Sequence, residues 1–376
     1  MSTQSEHRIL TNVERYPLLL PLKDRARAVK RGLRFIQQSL DRGLSTASPR
    51  SSGFYYFLVN KAFDREHFSV AAGKARFAKD LTLPGKTSFR LRRNIHRLEK
   101  GLIMPNRREV FALDYIIQTT DDFARVTHSY AAGEMAQAEI IWAHDVLAEY
   151  FSVVDLKQPR IADCHRVFLG ALDRFNALPR PSEKRSTPFV RDLSVSTPDI
   201  DQMTTLSIRR RSVRSFSDQA VSRDLVDKAV AVAAQSPSAC NRQPFRFRLY
   251  DDRDLVKKIV ALPAGTKGFS NGVPCVAVVV GRLRAYPLER DRHIIYIDGS
   301  LAAMSFMFAL ETMGIASCAI NWADEEPAES NMKKLLNLED DERVVMLIGY
   351  GWPDPTAPVP YSAKRDLSEL REYNRL

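Results

Sequence analysis

The sequence predicts a mostly α-helical N-terminal region followed by an α+β region whose helices pack on a central, mainly antiparallel sheet. Three observations carry this. Up to residue 178, apolar residues recur at intervals of three and four with few β-branched runs, as in helices buried on one face. The stretch 179–202 mixes Pro179, Pro181, Pro188 and Pro198 with Ser, Thr, Arg and Asp and reads as a linker. From 203 to 376, helical segments alternate with short strand-like runs, the pattern of an α+β domain.

Within 1–178 the spacing predicts helices over 23–40, 54–79, 88–101, 108–130, 133–151 and 160–177; Val110, Leu113 and Ile117 show the interval. Gly43 to Gly53, Ser-rich and carrying Pro49, predicts a loop. In 88–101 and just beyond, Leu91, Ile95, Leu98 and Leu102 share one face of a strongly basic helix, the stripe of a helix turned toward a core. After the linker, Leu225–Ala234 predicts a helix with Ser222 as N-cap. Phe245 to Tyr250 alternates strictly and predicts a strand, and 252–262 a helix. Val276 to Val280 is wholly apolar, as in a buried strand. Ile297 to Met313 is a helix apolar nearly all round, hence buried in a core or a subunit interface. Cys318-Ala319-Ile320 and Val344 to Gly351 predict two further strands, the second ending in a turn.

With 376 residues, 44% hydrophobic and 27% charged, the chain has room for two ordinary globular domains. No membrane span is expected: Tyr16 to Leu22 is short and interrupted by proline. Met1 to Leu10 lacks the apolar core of a signal peptide, so a cytoplasmic location is expected. Cys164, Cys240, Cys275 and Cys318 are far apart, which suggests neither a zinc site nor a disulfide framework. The net charge of +11 is uneven: residues 1–100 carry 21 Lys and Arg against 8 Asp and Glu, residues 201–376 carry 24 against 23. Nucleic acid, an anionic membrane surface or an anionic substrate would each account for the basic first quarter. No nucleic-acid-binding signature accompanies it, so nucleic acid is not an expected partner.

Three stretches carry chemistry. Arg209-Arg210-Arg211-Ser212-Val213-Arg214-Ser215-Phe216 sets four guanidiniums and two hydroxyls side by side, groups that bind phosphate through charge-assisted bonds. Ser236-Pro237-Ser238-Ala239-Cys240-Asn241-Arg242-Gln243-Pro244-Phe245 joins a helix to a strand through small residues and amides, which admit a flat ligand close to the backbone. Ala363-Lys364-Arg365 places a basic pair after a proline-rich run. Taken singly, each has a plainer reading as a solvated turn or ordinary loop. His96, His128 and His165 show no metal-ligand spacing, no metal site is expected, and neither a P-loop nor a GxGxxG fingerprint is present. Cys240, inside the second stretch, reads as a buried, inert thiol or as a redox-active one.

In this order and spacing, the three stretches resemble the FMN-dependent nitroreductase family over about residues 203–376. The resemblance implies a nitroreductase-like α+β sandwich acting as a homodimer, with FMN sites shared between subunits. It assigns Arg210 and Ser212 to the FMN phosphate and ribityl region, with Arg211 beside them in the cofactor-binding set. Arg214 falls by the redox end of the flavin, where a cation stabilises the anionic reduced ring; Arg209 carries no assignment. Pro237, Ser238 and Asn241 come from the partner subunit, Asn321 and Trp322 present backbone N–H groups near flavin N5, and Lys364 and Arg365 close on the phosphate. No side chain is expected to act as an acid–base catalyst. Two features depart from the family: Phe245 stands where Trp is usual, and the segment between 280 and 297 is short. That shortness weighs against direct use of NAD(P)H, otherwise the expected reductant. The implied function is ping-pong transfer from NAD(P)H through FMN to a small organic substrate, nitroaromatic, quinone-like or a dedicated metabolite. Two alternatives stay open: a flavin-binding protein whose N-terminal domain docks an anionic partner, and a flavin-dependent dehydrogenase of a peptide or metabolite. A sharper expectation attaches to the basic helix, whose Arg93 and Arg97 would cap the flavin pocket and select an anionic substrate.

Overall fold

The computed structural model describes residues 46, 48–83, 88–129, 137–176 and 185–375. The expected helix 23–40 and the start of the expected linker lie outside these. The chain forms two compact units, Met1–His67 and Phe68–Leu376.

In the first unit, helix α1 (Pro49–Leu58) begins with a capping box: Ser48 Oγ accepts from the Ser51 N–H, and Ser51 Oγ accepts from the Ser48 N–H. The helix expected over 54–79 is interrupted. Asn60 Oδ1 accepts from the Ala62 N–H and opens a 3-10 turn, Lys61–Phe63, before α2 (Asp64–Asp80) begins. A short polar side chain offering the backbone a local bond breaks an otherwise helical pattern.

In the second unit, α3 (Ser88–Leu102), α4 (Ile116–Ser129), α5 (Gln137–Val153) and α6 (Pro159–Asn176) enclose their own core. Leu91, Ile95 and Leu98 of α3 are fully buried against it, with Phe123, Ile140, Leu147, Tyr150 and Ile161. At about 2 kcal/mol per buried side chain, those three alone contribute roughly 6 kcal/mol toward docking α3. The expected helix 108–130 starts late, because the chain turns at Ala112 with a φ of 66°.

The sheet has strand order β1-β2-β4-β3, antiparallel throughout, formed by β1 (Phe245–Tyr250), β2 (Cys275–Arg282), β3 (Ala316–Asn321) and β4 (Glu342–Gly351). On one face lie α8 (Arg223–Ala233) and α10 (Ile294–Thr312), meeting Ala277, Val279, Ile348 and Tyr350 through Val226, Ala302, Phe306 and Leu310. On the other lie α9 (Arg253–Val260) and α11 (Ala328–Leu336), whose Val256, Ile259, Met332 and Leu336 meet Val276, Val278, Cys318 and Leu347. The fold is α+β. Ser222 stands at the N-cap of α8 but makes no side-chain cap bond. Glu289–Thr312 is long and apolar enough to cross a membrane by length and composition alone, a test that a core helix also passes. Half of its apolar window is buried, with α10 packed on the sheet.

Residues 185–199 have no helix or strand, and α7 (Ile200–Arg209) starts inside the stretch expected as linker. Its capping box is legible: Asp199 accepts from the Gln202 N–H at 2.7 Å, and Gln202 Oε1 from the Asp199 N–H at 3.2 Å. The helices and the sheet meet in a small core where Leu283, Ala285, Tyr286 and Ile295 pack with Val70 of α2 and Phe89 of α3. At Gly73 of α2 a Cβ would lie 2.7 Å from Leu283 Cβ, so only glycine permits this approach.

Candidate functional site

The arginine stretch leaves α7 at Arg210 and runs along the outer edge of β3. Ser212 bridges Ser317 in parallel, and the Val213 N–H donates to the Ser317 carbonyl at 3.1 Å. Phe216 then bridges Pro353 in antiparallel fashion. This extended path turns the guanidiniums to different fates. Arg209 pairs with Glu311 at 3.0 Å and ties α7 to α10, so it is not the merely solvated charge of the plainer reading. Among the described residues, Arg210, Arg211 and Arg214 have no carboxylate partner. Arg211 Nη1 donates to the Tyr361 carbonyl at 3.3 Å, and Arg214 Nη1 to the Ser212 carbonyl at 3.3 Å. Arg214 also lies over the Phe269 ring, 5.6 Å from its centroid.

Beside this stretch opens a cleft of about 720 Å3 lined by Arg214, Phe216, Lys267, Phe269 and Asn271. Burial pushes the Cys318 thiol up, while Arg214, Arg210 and the Ser212 hydroxyl act in the opposite sense. These groups therefore converge on β3. Ser317 Oγ is wholly buried there without a hydrogen-bond partner. Unpaired cations with an orphaned hydroxyl suit an oxygen-rich anion, so the residues present fit the phosphate-bearing FMN that the sequence suggests.

The second stretch forms a tight turn after α8. Cys240, Asn241 and Gln243 have φ values of 52°, 50° and 48°, a region L side chains enter at a cost. Several bonds hold it. Ser238 Oγ accepts from the Gln243 N–H at 3.0 Å, and Gln243 Nε2 donates to the Ala234 carbonyl at 2.8 Å. Asp298, in the second turn of apolar α10, accepts from the Ala239 N–H at 3.1 Å and the Tyr286 hydroxyl at 3.0 Å. Burial raises the Asp298 carboxyl, with those two donors and Arg242 opposing it. From the helical region, Arg92 Nε donates to the Asn241 carbonyl at 2.8 Å and Nη2 to Gln243 Oε1 at 3.0 Å. Pro237 is exposed, and Cys240 is half-buried whereas the other three thiols are buried.

The remaining expected residues are spread. Asn321 ends β3 and is exposed; Trp322 is buried, its Nε1 bonded to Glu329. Lys364 and Arg365 are exposed, Arg365 lying 3.7 Å from Glu369. Among the described residues, no hydrogen bond or ion pair within one chain joins the Arg210–Arg214 group to the Pro237–Asn241 group. Sequence reasoning missed Arg92, Tyr286 and Asp298. Only Asp298 left a signal, as a carboxylate inside a long apolar helix.

The site is thus an arginine-rich segment laid along the edge strand of an antiparallel α+β sandwich. Residues 208–266 and 256–352 match the model of the Nitroreductase family. A protein of Archaeoglobus fulgidus with a provisional NADH dehydrogenase/NAD(P)H nitroreductase name is 28% identical over 148 residues, covering 38% of this chain and 81% of that one. The iodotyrosine deiodinase of Nematostella vectensis is 21% identical over 187 residues, covering 43% and 71%. Among solved structures, an FMN-dependent nitroreductase from Clostridium difficile aligns at 21% identity with a TM-score of 0.40, covering 46% of this chain and 100% of that one.

Proposed function

We propose that the protein is an FMN-dependent oxidoreductase that passes electrons from a reductant, NAD(P)H by preference, to a small organic substrate. The observation that carries this reading is the division of labour among the four arginines: Arg209 is neutralised by Glu311, while Arg210 and Arg214 act on β3 and, with Arg211, have no carboxylate partner among the described residues. When bound, FMN supplies the two-electron redox chemistry. Arg210 and Ser212 bind its phosphate and ribityl oxygens, with Lys364 and Arg365 reaching the same end. Arg214 offsets the negative charge that the flavin ring gains on reduction. Pro237, Ser238 and Asn241 act on the flavin of a partner subunit, consistent with their separation from the arginines within one chain. Ile297 and Leu301 of α10, 54% and 44% exposed, supply an apolar surface for such a homodimer.

The test is spectroscopic. The purified protein, supplied with FMN, is expected to retain it and to be bleached by NAD(P)H under anaerobic conditions. Arg214→Ala should lower the flavin midpoint potential by roughly 30 mV or more, equivalent to about 1.4 kcal/mol, whereas Arg209→Ala should leave it in place. Failure to bind FMN overturns the reading, and equal shifts in the two variants overturn the register. Bound flavin that NAD(P)H cannot reduce points to a flavin-binding protein instead, and flavin reduced by substrate alone to a dehydrogenase.

A further inference from the structure

The helical region does more than cover a core. α3 lies against the turn Ala239–Asn241. Its arginines have separate fates. Arg92 is committed to the Asn241 carbonyl and Gln243, and Arg97 to Asp114 at 2.8 Å and to the Tyr115 ring, 3.6 Å from its guanidinium carbon. Arg93, between them in sequence, makes no hydrogen bond or ion pair among the described residues. Arg242, in the turn itself, is only 6% exposed, and its buried Nε has no hydrogen-bond partner. Its guanidinium lies over the Tyr286 ring at 4.7 Å. Asp298, the carboxylate whose charge acts on Arg242, already accepts from the Ala239 N–H and the Tyr286 hydroxyl.

We propose that Arg93 and Arg242 together bind the oxyanion of a small substrate, a carboxylate or a phosphate ester, beside the turn that carries Ser238 and Asn241. Two guanidiniums brought together without a bonded acid repel one another, and an oxyanion bridging them relieves this through charge-assisted bonds. Burial and the charges of Arg242 and Arg97 make the protonated form of Arg93 harder to hold, with Cys240 and Asp291 offsetting this in part. Such an arrangement disfavours the empty protein and favours the occupied one. Arg97, expected from the sequence to share this task, is already neutralised by Asp114 and drops out of it. The inference names a substrate class for the site under Proposed function and rests on that reading for its catalytic meaning, but binding can be measured without flavin chemistry.

Calorimetric titration of the full-length protein with benzoate, phenyl phosphate and the neutral benzamide tests it. Benzoate or phenyl phosphate should bind and benzamide should not; which anion binds more tightly separates a carboxylate from a phosphate-ester substrate. Arg93→Gln and Arg242→Gln should each weaken anion binding at least tenfold, Arg93→Lys should retain most of it, and Arg97→Gln should leave it within about twofold. Arg93→Gln should also raise the thermal midpoint of the ligand-free protein, because it removes an unpaired charge; a purely structural arginine would lower it. Equal binding of benzamide and benzoate, or Arg93→Gln that lowers the midpoint with anion affinity unchanged, overturns the proposal. A protein that binds benzoate but no FMN would refute the flavin reading and leave this one standing. A flavin-loaded, NAD(P)H-reducible protein blind to both anions would do the reverse.

Discussion

Replacing Arg92 with alanine should loosen the 238–243 turn from a distance of about 150 residues in sequence. The side chain is 15% exposed, so its bonds are poorly matched by water. It makes two charge-assisted bonds, at 2.8 Å to the Asn241 carbonyl and 3.0 Å to Gln243 Oε1, and an ion pair with Glu139 at 3.4 Å whose loss would add to theirs. Bonds with one charged partner contribute about 1.5–3 kcal/mol each, and the lower end applies where both acceptors are neutral. The position over the Trp142 ring, 5.3 Å away, adds about 0.5 kcal/mol. The expected loss is therefore about 3–4 kcal/mol, a large share of the 5–15 kcal/mol typical of a folded domain. Without its anchor, the turn can also release its three positive-φ residues, each held at a cost of about 1 kcal/mol or more. Arg92→Lys keeps the charge but only one of the two directed bonds and should recover about half. Urea unfolding followed by circular dichroism reads the stability, and amide hydrogen exchange over 238–243 reads the turn. A loss below about 1 kcal/mol with unchanged exchange in those residues would refute the anchoring role.

Two other outcomes follow from the packing and the buried acid. Gly73→Ala would set a Cβ 2.7 Å from Leu283 Cβ and 2.9 Å from its backbone carbon; the clash outweighs the gain in helix propensity and should cost about 1–3 kcal/mol. Gly170→Ala in α6, with nothing within 4 Å, should instead stabilise by up to about 1 kcal/mol, so a thermal melt in which the two shift alike would contradict this packing. Asp298, whose carboxyl is raised chiefly by burial, binds its proton more tightly folded than unfolded. Its contribution to stability is thus full below the ordinary carboxylate range and lost as pH rises through the raised value. Asp298→Asn should flatten that decline in a series of unfolding titrations; a parallel decline in both proteins would show that the acid does not titrate there.

Much of the fold was legible because its elements obey one rule at a time. The wholly apolar run 276–280 reads as a covered strand, and the stripe Leu91, Ile95, Leu98 as a face turned to a core; both lie where their pattern puts them. The failures came where a single polar side chain overruled periodicity, as Asn60 does in splitting the helix expected over 54–79. α7 was lost for a different reason: prolines and charges upstream set the expectation for the whole stretch, although Asp199 and Gln202 announced a helix start. In the candidate site, residue types were readable but partners were not. Nothing in Arg209-Arg210-Arg211 says that the first meets Glu311 and the others no acid among the described residues, since that depends on where α7 ends. Likewise Arg92, Arg93 and Arg97 look alike along the chain and differ only in what lies across from them: a carbonyl with Glu139, another cation, or Asp114.

The bond between Arg92 and Asn241 also sets an order of events during synthesis. The helical layer leaves the ribosome first, complete with its own core, but the carbonyl that Arg92 requires emerges 149 residues later. At about 5–20 residues per second, α3 waits roughly 7–30 s with Arg92 unanchored to the turn. Ser69 and Arg343 meet across a still longer span of 274 residues. A chain halted between the helices and the sheet would therefore leave Arg92 of the basic helix α3 without its Asn241 and Gln243 partners until the later segments arrive.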